Sequence, residues 1–138
     1  MEWSASQLYA IASPTDQQVD SNCGLSDDNN GSIPSGGTID DFQSNVYIDQ
    51  TVTWIGNPST NPSDNGYNVA VDSITNSSAF FPSNPVNGNG GRSGRVNATV
   101  NAGASGLNDT YTINFSIYPP GNGSQKSYSI DPKLQGNP

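Results

Sequence analysis

The sequence of 138 residues contains no histidine and a single cysteine, Cys23. Without histidine, Ser-His-Asp and Cys-His catalysis lack their usual general base, so both classes of nucleophilic enzyme are excluded. Zinc, copper and non-haem iron sites lose their commonest ligand, which one cysteine does not replace. One cysteine also excludes a disulfide within the chain. We therefore predict a protein that is not an enzyme and that has no resident cofactor.

Basic residues are also scarce, with four lysines and arginines against twelve acidic residues and a net charge of −8. A chain this acidic repels phosphate backbones and anionic bilayers, so we expect neither nucleic acid nor a membrane surface as partner. No apolar run approaches the length of a membrane span. Glu2 stands where a signal peptide carries basic residues, and no apolar segment precedes Ala10. We therefore predict no signal peptide in these residues, although the uncharged polar composition is typical of surface or extracellular proteins.

What the chain does contain is alternation of apolar and polar residues. It is clearest from Thr110 to Tyr118, where every second residue is aromatic or β-branched: Tyr111, Ile113, Phe115 and Ile117. This period of two predicts a strand with one buried face and one solvent-exposed face, which also carries Thr112, Asn114 and Ser116. We predict this segment as the central strand, and the stretches 95–101 and 127–131 repeat its pattern.

Further strands are predicted at 68–74 and at 46–55, the latter as one strand with a bulge at Asp49-Gln50. The stretch 101–109 is predicted to join two strands as a hairpin. About seven short strands with long polar loops indicate an all-β fold, an antiparallel β-sandwich over residues 45–138. Residues 1–44 are predicted as an N-terminal arm and loop, in which 1–17 favours a strand over a short helix at 4–12 and 18–44 is a long loop.

The end of the chain carries a resemblance. Y-T-I-N-F-S-I at 111–117, followed by K-S-Y-S-I-D-P-K-L at 126–134, resembles the C-terminal strand pair of small bacterial proteins of unassigned function. The resemblance covers the last third of the chain and implies an Ig-like β-sandwich. It transfers no site residues.

One segment resembles a calcium loop in residue type, because Asp27, Asp28 and Asn30 precede Gly31 and supply hard oxygen ligands. The EF-hand register does not fit, since placing Gly31 at its sixth position puts Gly37 where the bidentate glutamate belongs. A solvated loop and a calcium site therefore both remain open. We predict no cofactor, and calcium is the one alternative.

The aromatic and apolar residues near loops and termini are the predicted ligand or partner surface: Trp3, Tyr9, Ile11, Tyr67 and Tyr118. Large apolar groups in an arm lose stabilisation if they stay in water, so the arm is expected to dock on its own domain or on a neighbouring copy. The first hypothesis is a structural or adhesive subunit that acts through self-assembly or surface contacts. The alternative is a carbohydrate-binding module, calcium-dependent or not, whose partners are glycans.

Overall fold

The computed structural model describes residues 1–138 and is built mainly of strands, with two short helices. The helices are α1 (Ala5–Ala10) and α2 (Asp16–Ser21), and single 3-10 turns occur at Ile39–Asp41, Pro62–Asp64 and Ala102–Ala104. The strands are β1 (Glu2–Trp3), β2 (Cys23–Gly24), β3 (Gln43–Tyr47), β4 (Thr51–Ile55), β5 (Asn57–Pro58), β6 (Asn68–Thr75), β7 (Val86–Asn87), β8 (Arg95–Thr99), β9 (Asn108–Thr110), β10 (Thr112–Tyr118), β11 (Lys126–Ile130) and β12 (Lys133–Asn137).

The strands form four sheets. The largest is antiparallel, in the order β11-β10-β6-β7. A second has the order β3-β12-β9, in which β3 and β12 run parallel, and β4 pairs with β8 alone. A small sheet, β2-β1-β5, brings the N-terminal segment against the residues that follow β4. The prediction of an all-β fold with antiparallel sheets is therefore confirmed.

The central strand is where the alternation predicted it. β10 lies between β6 and β11, and the four apolar side chains from Tyr111 to Ile117 are buried. The opposite face departs from the prediction at Ser116, which is 3% exposed rather than open to solvent. Its hydroxyl donates to Asp72 Oδ2 at 2.6 Å and lies 2.9 Å from Ser127 Oγ. A bulge in β6 leaves Asp72 without a partner in the register, which places its carboxylate beside Ser116.

Two predicted connections are wrong. Residues 46–55 are not one bulged strand, because β3 and β4 belong to different sheets and the chain turns between them at Asp49, with φ of 63°. The stretch 101–109 is not a hairpin, because β8 pairs with β4 while β10 pairs with β6 and β11. Both errors have one cause: the alternation of side chains identifies strands but does not say which strands share hydrogen bonds.

β12 was not predicted as a strand, because Pro132 and Gly136 give its sequence the composition of a loop. In the structure β12 is the middle strand of its sheet. Gly136 is required there for space, since a Cβ at this position would collide with the backbone oxygen of Ala104.

The N-terminal segment is helical where a strand was expected, and the long loop predicted at 18–44 includes most of α2. Trp3, Ala5 and Leu8 are each 0% exposed, and the rings of Trp3 and Phe115 lie 4.5 Å apart. The arm thus packs on the core of its own chain.

Helix α1 is stabilised by Asp64, which lies 59 residues after Ala5 in the sequence. Asp64 is 2% exposed and accepts hydrogen bonds from the Ala5 and Ser6 backbone N–H groups at 3.2 and 2.8 Å. The Ser6 hydroxyl donates to the same carboxylate at 2.5 Å, and the Ser59 hydroxyl also donates to it. Ser4, the residue in the N-cap position of α1, makes no side-chain cap. Asp64 therefore provides the cap that the local sequence lacks.

Candidate functional site

The predicted surface residues are placed in four different environments. Trp3 is fully buried, so the prediction that it serves a ligand or partner surface is wrong for a physical reason: its ring stacks inside the core. Tyr9 and Tyr67 are brought together with their ring centroids 6.0 Å apart. Ile11 is partly buried and lines a shallow cavity against β11. Tyr118 is partly buried and lies under the guanidinium of Arg92, 5.4 Å from its ring centroid.

The ring and the hydroxyl of Tyr9 already make contacts within the protein. The ammonium group of Lys126 lies 4.3 Å from the Tyr9 ring centroid and donates to the Tyr9 carbonyl at 2.7 Å. The Tyr9 hydroxyl donates to the Ser124 carbonyl at 2.7 Å. One face of this ring is thus covered by a cation, which leaves Tyr67 as the freer aromatic ring of the pair.

The predicted calcium loop is organised by backbone turns. Asp27 Oδ1 accepts hydrogen bonds from the N–H groups of Asn29 at 3.1 Å and Gly31 at 2.7 Å, and Asn30 has a positive φ of 60°. Asp28 is exposed. No group of three or more acidic, cysteine or histidine side chains comes together in a way that could hold a metal ion.

A second group of acids surrounds the contact between α2 and the 3-10 turn at 39–41. Burial, followed by repulsion from Asp40, Asp16 and Asp131, raises the pKa of Asp20 to about 6. Burial also raises the pKa of Asp40, and repulsion from Asp131 adds to that effect, although a backbone hydrogen bond from Asp131 opposes it. These carboxylates therefore work against the docking of α2 when they are ionised.

Cys23 is a poor nucleophile in this setting. Cys23 lies opposite Trp3 in the pairing of β2 with β1. Burial raises the pKa of its thiol to about 12. The thiol is therefore protonated at neutral pH, and the thiolate that covalent catalysis requires is not formed.

A concave surface with an apolar floor lies between β3 and β4, and we call it the β3–β4 cleft. It consists of two adjoining cavities of about 310 and 360 Å³. Its floor is apolar and its rim is formed by the two strands and by residues 25–29. The side chains of the floor are Phe42, Val52, Trp54, Tyr111, Ile113 and Leu134. Asp27 and Asp28 are the acidic side chains on its rim.

The aromatic side chains of the cleft floor contact one another and their neighbours. The indole Nε1 of Trp54 donates to the Tyr111 hydroxyl at 3.1 Å, and the rings of Trp54 and Phe81 meet edge to face at 5.3 Å. Full burial raises the pKa of Tyr111, which keeps its hydroxyl protonated. The cleft thus offers a preformed apolar surface with its aromatic polar groups already satisfied.

The rim of the cleft is a pair of strand edges. β3 has β12 as its single strand neighbour, and its other edge is partly closed by a bridge between Ser32 and Gln43 and by Asn29 Nδ2, which donates to the Asn45 carbonyl at 3.1 Å. β4 has only β8 beside it. The second edge of β4 therefore has no strand partner along its whole length.

The register shows which backbone groups of β4 face the cleft. Val100 N–H donates to the Gln50 carbonyl at 2.9 Å, which makes these residues a hydrogen-bonded pair. Because such pairs alternate in antiparallel strands, Val52 and Trp54 bond to β8, while Thr51, Thr53 and Ile55 turn their backbone groups toward the open edge.

Of the exposed large apolar side chains, that of Ile55 lines the cleft. Three large hydrophobic residues are exposed: Ile33 by 41%, Tyr47 by 42% and Ile55 by 39%. Ile55 ends β4, Tyr47 ends β3, and Ile33 follows the residue that bridges to Gln43. Sequence reasoning missed this surface, although the run T-V-T-W-I, which has no charge and no proline, was a usable signal for an unprotected edge.

Comparison with protein families, with curated proteins and with solved structures finds no match to this chain. Neither helix has the length and apolar character needed to cross a bilayer.

Proposed function

We propose that this protein is a non-enzymatic structural or adhesive subunit that acts through self-assembly, with the open edge of β4 as its contact surface. The observation that carries the proposal is an unpaired, uncharged strand edge that ends in the exposed hydrophobic side chain of Ile55. Edge strands of monomeric proteins are usually protected by lysine, proline or a covering segment, and T-V-T-W-I has neither lysine nor proline.

We further propose that the sheets form the two layers of an Ig-like β-sandwich. Support comes from the shared core, in which Val71 and Phe115 of the four-stranded sheet join Val46 and Leu134 of the β3-β12-β9 sheet and Val96 of β8. In such an arrangement the β3–β4 cleft is a gap at the side of the sandwich, where one more strand could be added.

The strand itself adds no charge to a contact at β4. Two copies of a chain with net charge −8 repel each other, so each charge brought close opposes association. β4 contains no charged residue, and its exposed side chains Thr51, Thr53 and Ile55 are uncharged. The nearby acidic side chains are those of Asp27 and Asp28 on the rim of the cleft, so we expect association to strengthen as salt screens them.

Size-exclusion chromatography with light scattering tests the proposal. We expect the protein to associate as its concentration rises, and Thr53→Lys to abolish that association by placing a desolvated charge on the edge. Thr110→Lys is the matched control, because Thr110 is an exposed threonine in β9, an edge strand of another sheet. A strictly monomeric protein at millimolar concentration would overturn the proposal.

The alternative is a carbohydrate-binding module, and the contact between Tyr9 and Tyr67 is the observation that favours it. Tyr67 is partly exposed and offers a ring for stacking on a sugar. A glycan array with and without a chelator tests this function and its calcium dependence. We would accept it if reproducible binding were lost in Tyr67→Ala and retained in Tyr47→Ala.

A further inference from the structure

We propose that the β3–β4 cleft is a binding site for a small organic amine, with the apolar body of the ligand on the cleft floor and its ammonium group beside Asp27 and Asp28. This inference goes beyond the proposed function, because a small molecule can enter the cleft of a single subunit. Three features carry it: the size of the cleft, the chemistry of its floor, and the unpaired acids on its rim.

The size of the cleft limits what can enter it. Its two adjoining cavities measure about 310 and 360 Å³. Sites for small molecules usually have volumes of about 300–1,000 Å³, so the cleft lies at the lower end of that range. Met1 and residues 25–29 border it beside the two strands. A cleft of this size suits a molecule with one or two rings.

The floor of the cleft supplies apolar contact. Trp54, Tyr111 and Ile113 line it and are at most 5% exposed, so their own packing holds them in place. The Trp54 indole already donates its N–H to the Tyr111 hydroxyl, and a ligand therefore does not have to satisfy the indole. An apolar group that covers this floor leaves water without stranding the indole N–H.

The rim of the cleft supplies negative charge. Asp27 borders both cavities and Asp28 borders one of them, while no lysine or arginine lines either cavity. The one salt bridge of the structure joins Lys133 and Asp41, so neither rim acid is paired with a side-chain cation or with the N-terminal ammonium group. The rim is therefore complementary to a cationic ligand and opposes an anionic one.

Asp27 is held in position by its own loop. Its Oδ1 accepts hydrogen bonds from the N–H groups of Asn29 at 3.1 Å and Gly31 at 2.7 Å, and its Oδ2 accepts none within the protein. Its charge also acts on the floor: burial raises the pKa of Tyr111, the hydrogen bond from Trp54 opposes the rise, and repulsion from Asp27 adds to it. Asp27 thus has a free oxygen for an ammonium group that is attached to an apolar body on the floor.

These features define the class of ligand. Its simplest member is an aromatic ring joined by a short alkyl chain to a primary amine, which is protonated at neutral pH. The ring covers the floor, and the ammonium group donates to the Asp27 and Asp28 carboxylates. An alcohol of the same shape keeps the apolar contact but lacks the charge, and a carboxylate of the same shape is repelled. Discrimination should therefore follow charge at equal apolar surface.

Titration of the full chain followed by NMR tests the ligand class. The probe is phenethylamine, with phenethyl alcohol and hydrocinnamate as its neutral and anionic counterparts. We expect phenethylamine to bind with a dissociation constant of about 1 mM or tighter, and the alcohol to bind about three-fold more weakly. Hydrocinnamate should bind more weakly than either. The indole N–H signal of Trp54 should shift on binding, while that of Trp3, which does not line the cleft, should not.

Charge removal tests the role of the rim. Asp28→Asn removes the charge of an exposed residue that holds none of the backbone N–H groups of its loop, and Asp27→Asn keeps an acceptor oxygen for those groups. Each variant should weaken phenethylamine binding by about three-fold, and the double variant by about ten-fold, with phenethyl alcohol unchanged. Asp109→Asn is the matched control, because Asp109 is exposed in β9 and lines neither cavity.

Filling the cleft tests the location of the site. Ser44 lies in β3 and lines both cavities, so a phenyl group at this position takes up the space of the ligand. Ser44→Phe should abolish binding of the amine and of the alcohol alike. Thr110→Phe, at an exposed position of β9, should leave both unchanged. Circular dichroism and thermal unfolding establish that each variant folds.

The outcomes separate this inference from self-assembly. No shift of the Trp54 signal at about 10 mM phenethylamine overturns the inference, as does equal binding of all three probes or unchanged binding by Ser44→Phe. Light scattering on the same samples reports association independently, so a monomer that binds phenethylamine overturns self-assembly alone. Salt acts in opposite directions: between about 0.02 and 0.5 M it should weaken amine binding and strengthen the association of two acidic copies.

Discussion

Replacing Asp64 by alanine should be among the most damaging substitutions of a charged residue in this chain. Its carboxylate is 2% exposed and has no cationic partner, because the one salt bridge of the structure joins Lys133 and Asp41. Its role is to satisfy the first N–H groups of α1, a helix of six residues that has no side-chain cap of its own. Losing it leaves these N–H groups without their acceptor and weakens the attachment of α1 to the core.

The magnitude follows from the hydrogen bonds. The hydroxyls of Ser6 and Ser59 can rotate toward water, so the lasting loss is that of the two backbone bonds from Ala5 and Ser6. A hydrogen bond to a charged group contributes about 1.5–3 kcal/mol, so the two bonds predict a loss of about 3–6 kcal/mol in the free energy of unfolding at pH 7. Asp64→Asn, which keeps one acceptor oxygen, should lose less, about 1–3 kcal/mol.

The effect should also depend on pH with a defined sign. Burial raises the pKa of Asp64, but hydrogen bonds from Ser59, Ser6 and Ala5 outweigh burial and hold the pKa below its ordinary value. A lowered pKa in the folded state means that the stabilisation is fully present above the unfolded pKa of about 3.9 and is lost as the pH falls through the folded value. The difference between wild type and Asp64→Ala should therefore be constant from pH 7 to 5 and shrink below about pH 4.

Chemical unfolding followed by fluorescence of the buried Trp3 and Trp54 measures these differences. Asp109→Ala is the control, because Asp109 is exposed in β9, and surface substitutions usually stay within about 0.5 kcal/mol. Equal stability of Asp64→Ala and Asp109→Ala at pH 7 would refute the reasoning that a distant carboxylate caps α1.

Three further predictions concern other parts of the chain. Phe115→Ala should cost about 3–5 kcal/mol in urea unfolding, and Asn114→Ala on the opposite face of β10 about 1 kcal/mol; equal losses would contradict the register of the central strand. Asp20→Asn should stabilise the protein at pH 7, because the raised pKa of Asp20, about 6, makes its ionised form costly in the folded state, and this gain should fade as the pH drops from 7 toward 4; a pH-independent gain, measured by thermal unfolding, would count against repulsion as the cause. Gly136→Ala should prevent folding, judged by circular dichroism, while Gly103→Ala, whose Cβ would meet open space, should not.

The sequence was sufficient for features that depend on neighbouring residues. Alternation over 111–117 predicted β10 and its buried face, because every second side chain of a strand lies on the same face. The alternation did not predict the burial of Ser116, whose hydroxyl donates to Asp72 on another strand. It failed at α1 for the same kind of reason, since the cap that makes six residues helical comes from Asp64.

The candidate site was the least predictable part. T-V-T-W-I lies within a stretch predicted as a strand, and it is a strand in the structure. That β4 has a free edge depends on β3 pairing with β12 instead, which is a contact between residues about ninety positions apart. Tyr9 and Tyr67 were named singly as surface residues, but their contact requires α1 to pack beside the 3-10 turn at Pro62–Asp64, which precedes Tyr67.

The position of β12 has a consequence for how the protein is made. β3 and β9 are joined only through β12, so neither has its sheet partner while the ribosome is still synthesising the residues before Lys133. Throughout that time β3 and β9 lack their partner strand, and nascent chains on one polysome are held close together. A chain that stalls before residue 133 would therefore expose unpaired edges of β3 and β9 to pairing with another copy.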